Sequence, residues 1–427
     1  LITSYCIVFA TDCLRQGSYQ VVERLGMRED LESLITRYTM FSSLGQPSRL
    51  LVFSAILALV AGCGGGGSGN SSPPPSNGGG TTPPADPKPD FTEVDETFQT
   101  FIDESIVFDG ISYVVVDATG TLHTSAFGDH TADTVVMLAS TSKVPAVMTL
   151  MALDEDPGSS FSMSQPIGEV LPFNGVYADR TPAQLVSNTS GIPGLRQLGL
   201  YGPHLCQFSF EESIDFEACG QIMLSVPLPD SHDAGTIFDY GGSQWQLAGV
   251  TAAVSANATW NQLVDQYLVT PCELEVFTFG NMWENLFLWD GTPDSLLGQS
   301  NPNIEGGAIT TLADYAKLLQ AHLNGGYCGE TQILSEAALT EMRADRGGVV
   351  AEDPVPYGMG WWIDTDNPGV YDDPGAFGSV SFLDVERGFG GYVAIDDYTR
   401  IDADAPARLV RRDIIPLLQS AFDAVAE

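Results

Sequence analysis

Residues 138–153 read LASTSKVPAVMTLMAL, a run with helical character and no polar face, yet with a lysine inside it. A helix that is apolar all round must be enclosed on every side. The chain therefore has to fold in layers around this segment. The lysine, Lys143, is one of only three in 427 residues, the others being Lys88 and Lys317. Burying an ammonium costs several kcal/mol unless it is paired or gives up its proton. Chemistry is the natural reason to place it there.

The flanking sequence shows what encloses the helix. Apolar spacing at Val94, Phe98, Phe101, Ile102 and Ile106 predicts a helix over 91–107. SYVVVDA at 112–118 and TLHTSAFG at 121–128 read as strands joined by a Thr-Gly turn. Residues 155–345 are mostly helices and long loops, including LADYAKLLQAHLNGG at 312–326 with a Gly-Gly stop. Strand character returns at 358–364, 376–385 and 388–397, before a last helix over about 405–425. This predicts an α+β fold. Its antiparallel sheet is formed by the N- and C-terminal segments and flanked by helices, with a mostly helical region inserted.

Ser140 stands three residues before Lys143, so both side chains share one helical face, a turn apart. A serine hydroxyl is a weak nucleophile without a nearby base. Desolvation and the helix dipole are expected to depress the lysine pKa and make it that base. The helix terminus also offers N–H groups to a reacting carbonyl. A Ser-x-x-Lys pair alone is a weak signal; its place after two strands, with Pro145 in the first turn, sharpens it.

Further segments carry a resemblance. LVSNTSGIPG (185–194), FDYGGSQWQLAG (238–249), GGAITTLADYAKLLQAHLNGG (306–326), LSEAALTEM (334–342), YGMGWWID (357–364) and DPGAFGSVSFLD (373–384) follow in order. With the Ser-x-x-Lys pair they resemble the serine β-lactamase and penicillin-binding-protein superfamily, in the branch of class C β-lactamases and related esterases and peptidases. The likeness covers nearly all of 91–427. It implies a β-lactamase/transpeptidase-like fold and acyl transfer through a covalent serine ester, with no cofactor. Ser140 would be acylated, Lys143 and Tyr240 would share base and proton-relay work, and the N–H groups of Ser140 and Ala376 would form the oxyanion hole.

Departures from the family pattern bear on substrate. Asn188 stands where His is common, Gly242 in the Asn place, and Asp373-Pro374-Gly375 in the third-motif place, where the family supplies a cation or hydroxyl for a substrate carboxylate. Gly242, Asp373 and Gly375 are thus the substrate-binding candidates. An acid in place of the carboxylate clamp argues for an ester or small amide over a β-lactam. A β-lactamase or D-Ala-D-Ala carboxypeptidase, and a catalytically silent binding lipoprotein of the same fold, stay open. Taken alone, Tyr240 reads as packing or a turn, Ser190 as a turn hydroxyl, Asp373 as a solvated loop acid, and Trp361 and Trp362 as core and cleft wall. His123, His130, His204, His232 and His322 lack metal spacing, with His322 on a predicted helix surface.

The rest of the chain speaks to location. MFSSLGQPSRLLVFSAILALVAGC (40–63) has Arg49 before a 13-residue apolar run, too short to span a bilayer and right for a signal h-region. Its ending resembles a lipobox, with Cys63 as the lipidated residue; a plain secretory signal is the alternative. Residues 1–39 read as an over-extended start, 40–62 as a lipoprotein signal peptide, 63–90 as a Gly/Ser/Pro tether, and 91–427 as the working domain. An exported monomer is expected, periplasmic or at the cell surface, on the outer membrane, held to a membrane only through Cys63. Exported cysteines favour disulfides. Of three possible pairings of Cys206, Cys219, Cys272 and Cys328, the short excursion between the first two points to Cys206–Cys219 and Cys272–Cys328. With 55 acidic against 17 basic residues and a net charge of −38, the surface repels nucleic acid and anionic lipid, and suits a salty medium. The partner expected is a small-molecule ester or amide.

Overall fold

The computed structural model describes residues 88–195, 202–208, 214–286, 288–396, 402 and 404–426. The over-extended start (1–39), the signal segment (40–62), Cys63 and the tether up to residue 87 lie outside the described residues.

The chain enters through helix α1 (Thr92–Glu104), which lays Val94, Phe98 and Ile102 on one buried face. Strands β1 (Gly110–Asp117) and β2 (Gly120–Gly128) form a hairpin. The short β3 (Val136–Met137) then leads through a 3-10 turn, Ala139–Ser142, into α2 (Lys143–Glu155). Every α2 residue from Lys143 to Leu153 is buried, as a helix without a polar face requires. The helical middle contains α3 (Gly242–Ala256) and α4 (Leu312–Leu323), with β4 (Phe277–Phe279) and β5 (Ala308–Thr310) between them. β6 (Tyr327–Cys328) and β7 (Thr331–Gln332) make a small ribbon. β8 (Trp362–Ile363), β9 (Val370–Pro374), β10 (Gly378–Asp384) and β11 (Phe389–Asp396) follow, and α5 (Ile415–Ala426) closes the chain.

The main sheet has the order β2-β1-β11-β10-β9-β8, with every pair antiparallel. The first strands and the last thus meet at β1–β11, in the register Ser112↔Ala394 to Asp117↔Phe389. Side chains alternate across this sheet, and each face has its own core. Val114, Val116, Leu383, Tyr392 and Ala394 join α2 and the helical middle. Ile111, Tyr113, Val115, Phe382, Phe389 and Val393 join α1 and the C-terminal helix. A second, three-stranded sheet, β3-β5-β4, fixes the approach to the 3-10 turn.

Strand character expected over 358–364 is confined to Trp362 and Ile363, while β9 was not anticipated. Burial explains the second difference. In VYDDP the two acids occupy strand positions, where a sequence reading takes them for a loop. The cysteine pairs Cys206–Cys219 and Cys272–Cys328 stand at disulfide distance, with S–S separations of 2.16 and 1.95 Å. His322, expected on a helix surface, is buried. It meets Trp361 edge to face, ring centroids 5.4 Å apart, within the main core.

Candidate active site

β3 delivers the chain to Ala139, whose φ is +47°. Left-handed backbone costs a residue with a Cβ about 1–2 kcal/mol, so the surrounding contacts must hold it. Thr141 Oγ1 bridges the carbonyls of Asp373 and Ser379 at 2.9 and 3.1 Å. Tyr315 donates to Thr141 O at 3.0 Å, and Ser142 Oγ accepts the Ala308 N–H at 3.0 Å. Both sheets therefore pin the turn that carries Ser140.

Ser140 Oγ receives two donors, Lys143 Nζ at 3.1 Å and Tyr240 Oη at 3.0 Å. Lys143 is fully buried; its second hydrogen bond goes to Glu305 O at 2.8 Å. Its ammonium lies 4.8 Å from the Tyr240 ring centroid and 5.4 Å from that of Trp245. Tyr240 stacks on Trp362 at 5.5 Å. Its loop is tied to the LVSNTSGIPG segment. Asn188 Oδ1 accepts from Trp245 Nε1 at 3.1 Å and from the Gly241 N–H at 3.4 Å, and Leu195 N–H donates to Tyr240 O at 2.7 Å. Ser190 caps its own turn through the Ile192 N–H and donates to Gln244.

The charge on Lys143 is the reverse of the expectation. Burial pushes its pKa down, but Tyr240, Glu305 and Asp373 together raise it above the ordinary lysine value. These neighbours favour the ammonium form. Tyr240 is raised as well: burial lifts it, Lys143 pulls it down, and Asp373 lifts it further. Three acidic groups around one amine account for the rise of Lys143, and burial accounts for most of the rise of Tyr240. A sequence places the lysine in an apolar helix without showing which distant acids surround it.

Asp373 is no loop acid. It sits in β9 opposite Ser381, fully buried. Burial drives its pKa well above the carboxylate range; Lys143 and the Val144 N–H draw it down, and Asp372 pushes it up. Asp372 turns to Arg411 instead. Gly375 packs against the nucleophile turn, where a Cβ would lie 2.2 Å from Leu138 O. Ser140 and Ala376 are both half-buried, and among the described residues neither N–H makes a backbone hydrogen bond outside the regular elements.

Glu305 was missed. Its residue is 7% exposed, and its side chain lies over Gly242, where a Cβ would fall 1.9 Å from Glu305 Oε1. The clue available in the sequence was the glycine in the Asn place, with an acid standing just before Gly306-Gly307.

The sequence profile of the beta-lactamase family matches residues 94–414. The chain belongs to the β-lactamase family. That membership indicates a serine hydrolase. Solved structures with similar folds include a Bacteroides dorei DSM 17855 protein assigned as a β-lactamase. It is 25% identical with TM-score 0.59, covering 72% of this chain and 91% of that one. EstCE1, a hydrolase with promiscuous acyltransferase activity, is 18% identical with TM-score 0.59, covering 78% and 97%. A family VIII carboxylesterase is 18% identical with TM-score 0.57, again covering 78% and 97%. No curated protein matches the chain significantly. Against the β-lactamase pattern, this chain brings Ser140, Lys143 and Tyr240 together and surrounds them with two buried carboxyl groups, Glu305 and Asp373.

Proposed function

We propose that this β-lactamase-family protein forms an acyl-enzyme on Ser140 and hydrolyses esters or small amides, with esters preferred to β-lactams. One observation carries the reading: Tyr240 and Lys143, from separate elements, converge on a single serine oxygen at 3.0 and 3.1 Å. The reactive form is the minority state in which Tyr240 has lost its proton and the Lys143 ammonium stabilises the phenolate. The phenolate takes the Ser140 proton, and Oγ attacks the substrate carbonyl. The resulting oxyanion is received by the Ser140 and Ala376 N–H groups. Tyr240 then gives its proton to the leaving group, and water repeats the sequence on the acyl-enzyme.

The ester preference rests on Asp373. A neutral or anionic carboxyl in the third-motif place cannot supply the positive charge that clamps a β-lactam carboxylate. Fluorophosphonate labelling and turnover of p-nitrophenyl acyl esters test the proposal, with nitrocefin as the competing substrate. Equal labelling and turnover in Ser140→Ala defeats it; faster nitrocefin than ester turnover replaces it with the β-lactamase reading. The two cysteine pairs suit an oxidising compartment, in keeping with export and a lipid anchor at Cys63. Palmitate incorporation that survives Cys63→Ala would remove the anchor.

A further inference from the structure

Glu305 occupies the place that its neighbours leave open. Residues 305–308 lie directly against the nucleophile turn. Glu305 O accepts from Lys143 Nζ at 2.8 Å, a Cβ on Gly306 would touch Ala139, and Ala308 N–H donates to Ser142 Oγ. The Glu305 carboxylate makes no hydrogen bond among the described residues, and although the residue is only 7% exposed its oxygens are not fully enclosed as those of Asp373 are. It rests over Gly242, the first residue of the 15-residue helix α3, where a Cβ would lie 1.9 Å from Oε1 and 2.4 Å from Oε2. Any other side chain at 242 would displace it.

The chemistry of that point follows. An Asn side chain both donates and accepts hydrogen bonds; an ionised carboxylate only accepts. The α3 N-terminus favours the anion there. Burial raises the Glu305 pKa above the ordinary glutamate value, with Lys143 opposing it, and a cation brought beside it favours the ionised form. A nearly buried carboxylate without a protein donor gains from a ligand that brings one. The net charge of −38 further draws cations toward the protein.

We propose that Glu305 is a specificity-determining residue that accepts a hydrogen bond from an ammonium beside the scissile carbonyl, so that the substrates are amine-bearing acyl esters. This rests on Ser140 as the nucleophile, and the experiment separates the two ideas. Glycine p-nitrophenyl ester and p-nitrophenyl propionate differ by an ammonium in place of a methyl group. Wild type should favour the glycyl ester in kcat/KM, and Glu305→Gln should reduce the ratio of the two at least about tenfold. An unchanged ratio overturns the proposal. Binding of glycine anilide and propionanilide to the Ser140→Ala protein decides the point without catalysis: tighter binding of the glycine compound that Glu305→Gln abolishes supports it, and equal binding overturns it. Should neither ester react while the glycine compound binds more tightly, the nucleophile assignment fails and the recognition stands. Gly242→Ala, which displaces the carboxylate, should lower the ratio in the same way.

Discussion

The hydroxyl of Tyr240 lies 3.0 Å from Ser140 Oγ, although 100 residues separate the two in the chain. With Lys143 on the same oxygen, the three groups should act as a unit, and units are not additive. Ser140→Ala is expected to lower kcat for ester hydrolysis by about 10⁴-fold or more. The Ser140→Ala/Lys143→Met double variant should be no worse, as initial rates on a p-nitrophenyl ester would show.

Tyr240→Phe keeps the stack on Trp362 and removes only the relay oxygen. A loss of roughly 10²–10⁴-fold in kcat is expected, with little change in melting temperature. Because the Tyr240 pKa is raised and its phenolate is the reactive form, wild-type kcat/KM should climb with pH across neutral and mildly alkaline conditions. A flat profile would transfer the base role elsewhere.

Two buried histidines set an acid limit on stability. Burial lowers His322 to about 3, aided by Arg343, and burial lowers His204 to about 4 against the Val226 hydrogen bond. Below pH about 6.5 the unfolded chain binds protons that the folded chain refuses. Stability is therefore held above that pH and lost as pH falls toward the folded values, by at most about 1.4 kcal/mol per unit per histidine. His322 has both ring nitrogens unpartnered among the described residues, so His322→Phe fits the same edge-to-face contact on Trp361. Thermal melts between pH 7 and 5 should be less pH-dependent in that variant.

Gly375→Ala places a methyl group 2.2 Å from the Leu138 carbonyl. A backbone atom cannot swing aside as a side chain does. A stability loss of roughly 1–3 kcal/mol is expected, with a further fall in activity because the displaced segment adjoins Ser140. Urea unfolding and ester kinetics on the same sample would check both.

The two cysteine pairs close loops of 13 and 56 residues. Loop-closure entropy assigns about 3 kcal/mol to the shorter and about 4 kcal/mol to the longer. Cys272→Ala/Cys328→Ala should therefore lower the melting temperature more than Cys206→Ala/Cys219→Ala.

Much of this arrangement was readable from local pattern. The strands at 112–118 and 376–385 declare themselves by β-branched and aromatic content, and Ser140, Lys143 and Tyr240 by motif. What was not readable depends on contacts between distant segments. The Lys143 pKa is raised because Tyr240, Glu305 and Asp373 come to it from far along the chain. Asp373 looks like a loop residue until β10 pairs with β9 and buries it. Glu305 gains meaning only from the missing side chain at Gly242. Periodicity reports which face is apolar, and says nothing of which acid will face which amine.

The sheet joins the two ends of the domain, and Thr141 is fastened to Asp373 and Ser379. A ribosome delivers the serine long before those carbonyls exist. The emerging chain can condense its helical middle, but the turn at Ser140 stays unbraced until β9 and β10 have left the exit tunnel. A product truncated ahead of β9 should therefore be inert, and every active molecule has been read through to its closing strands.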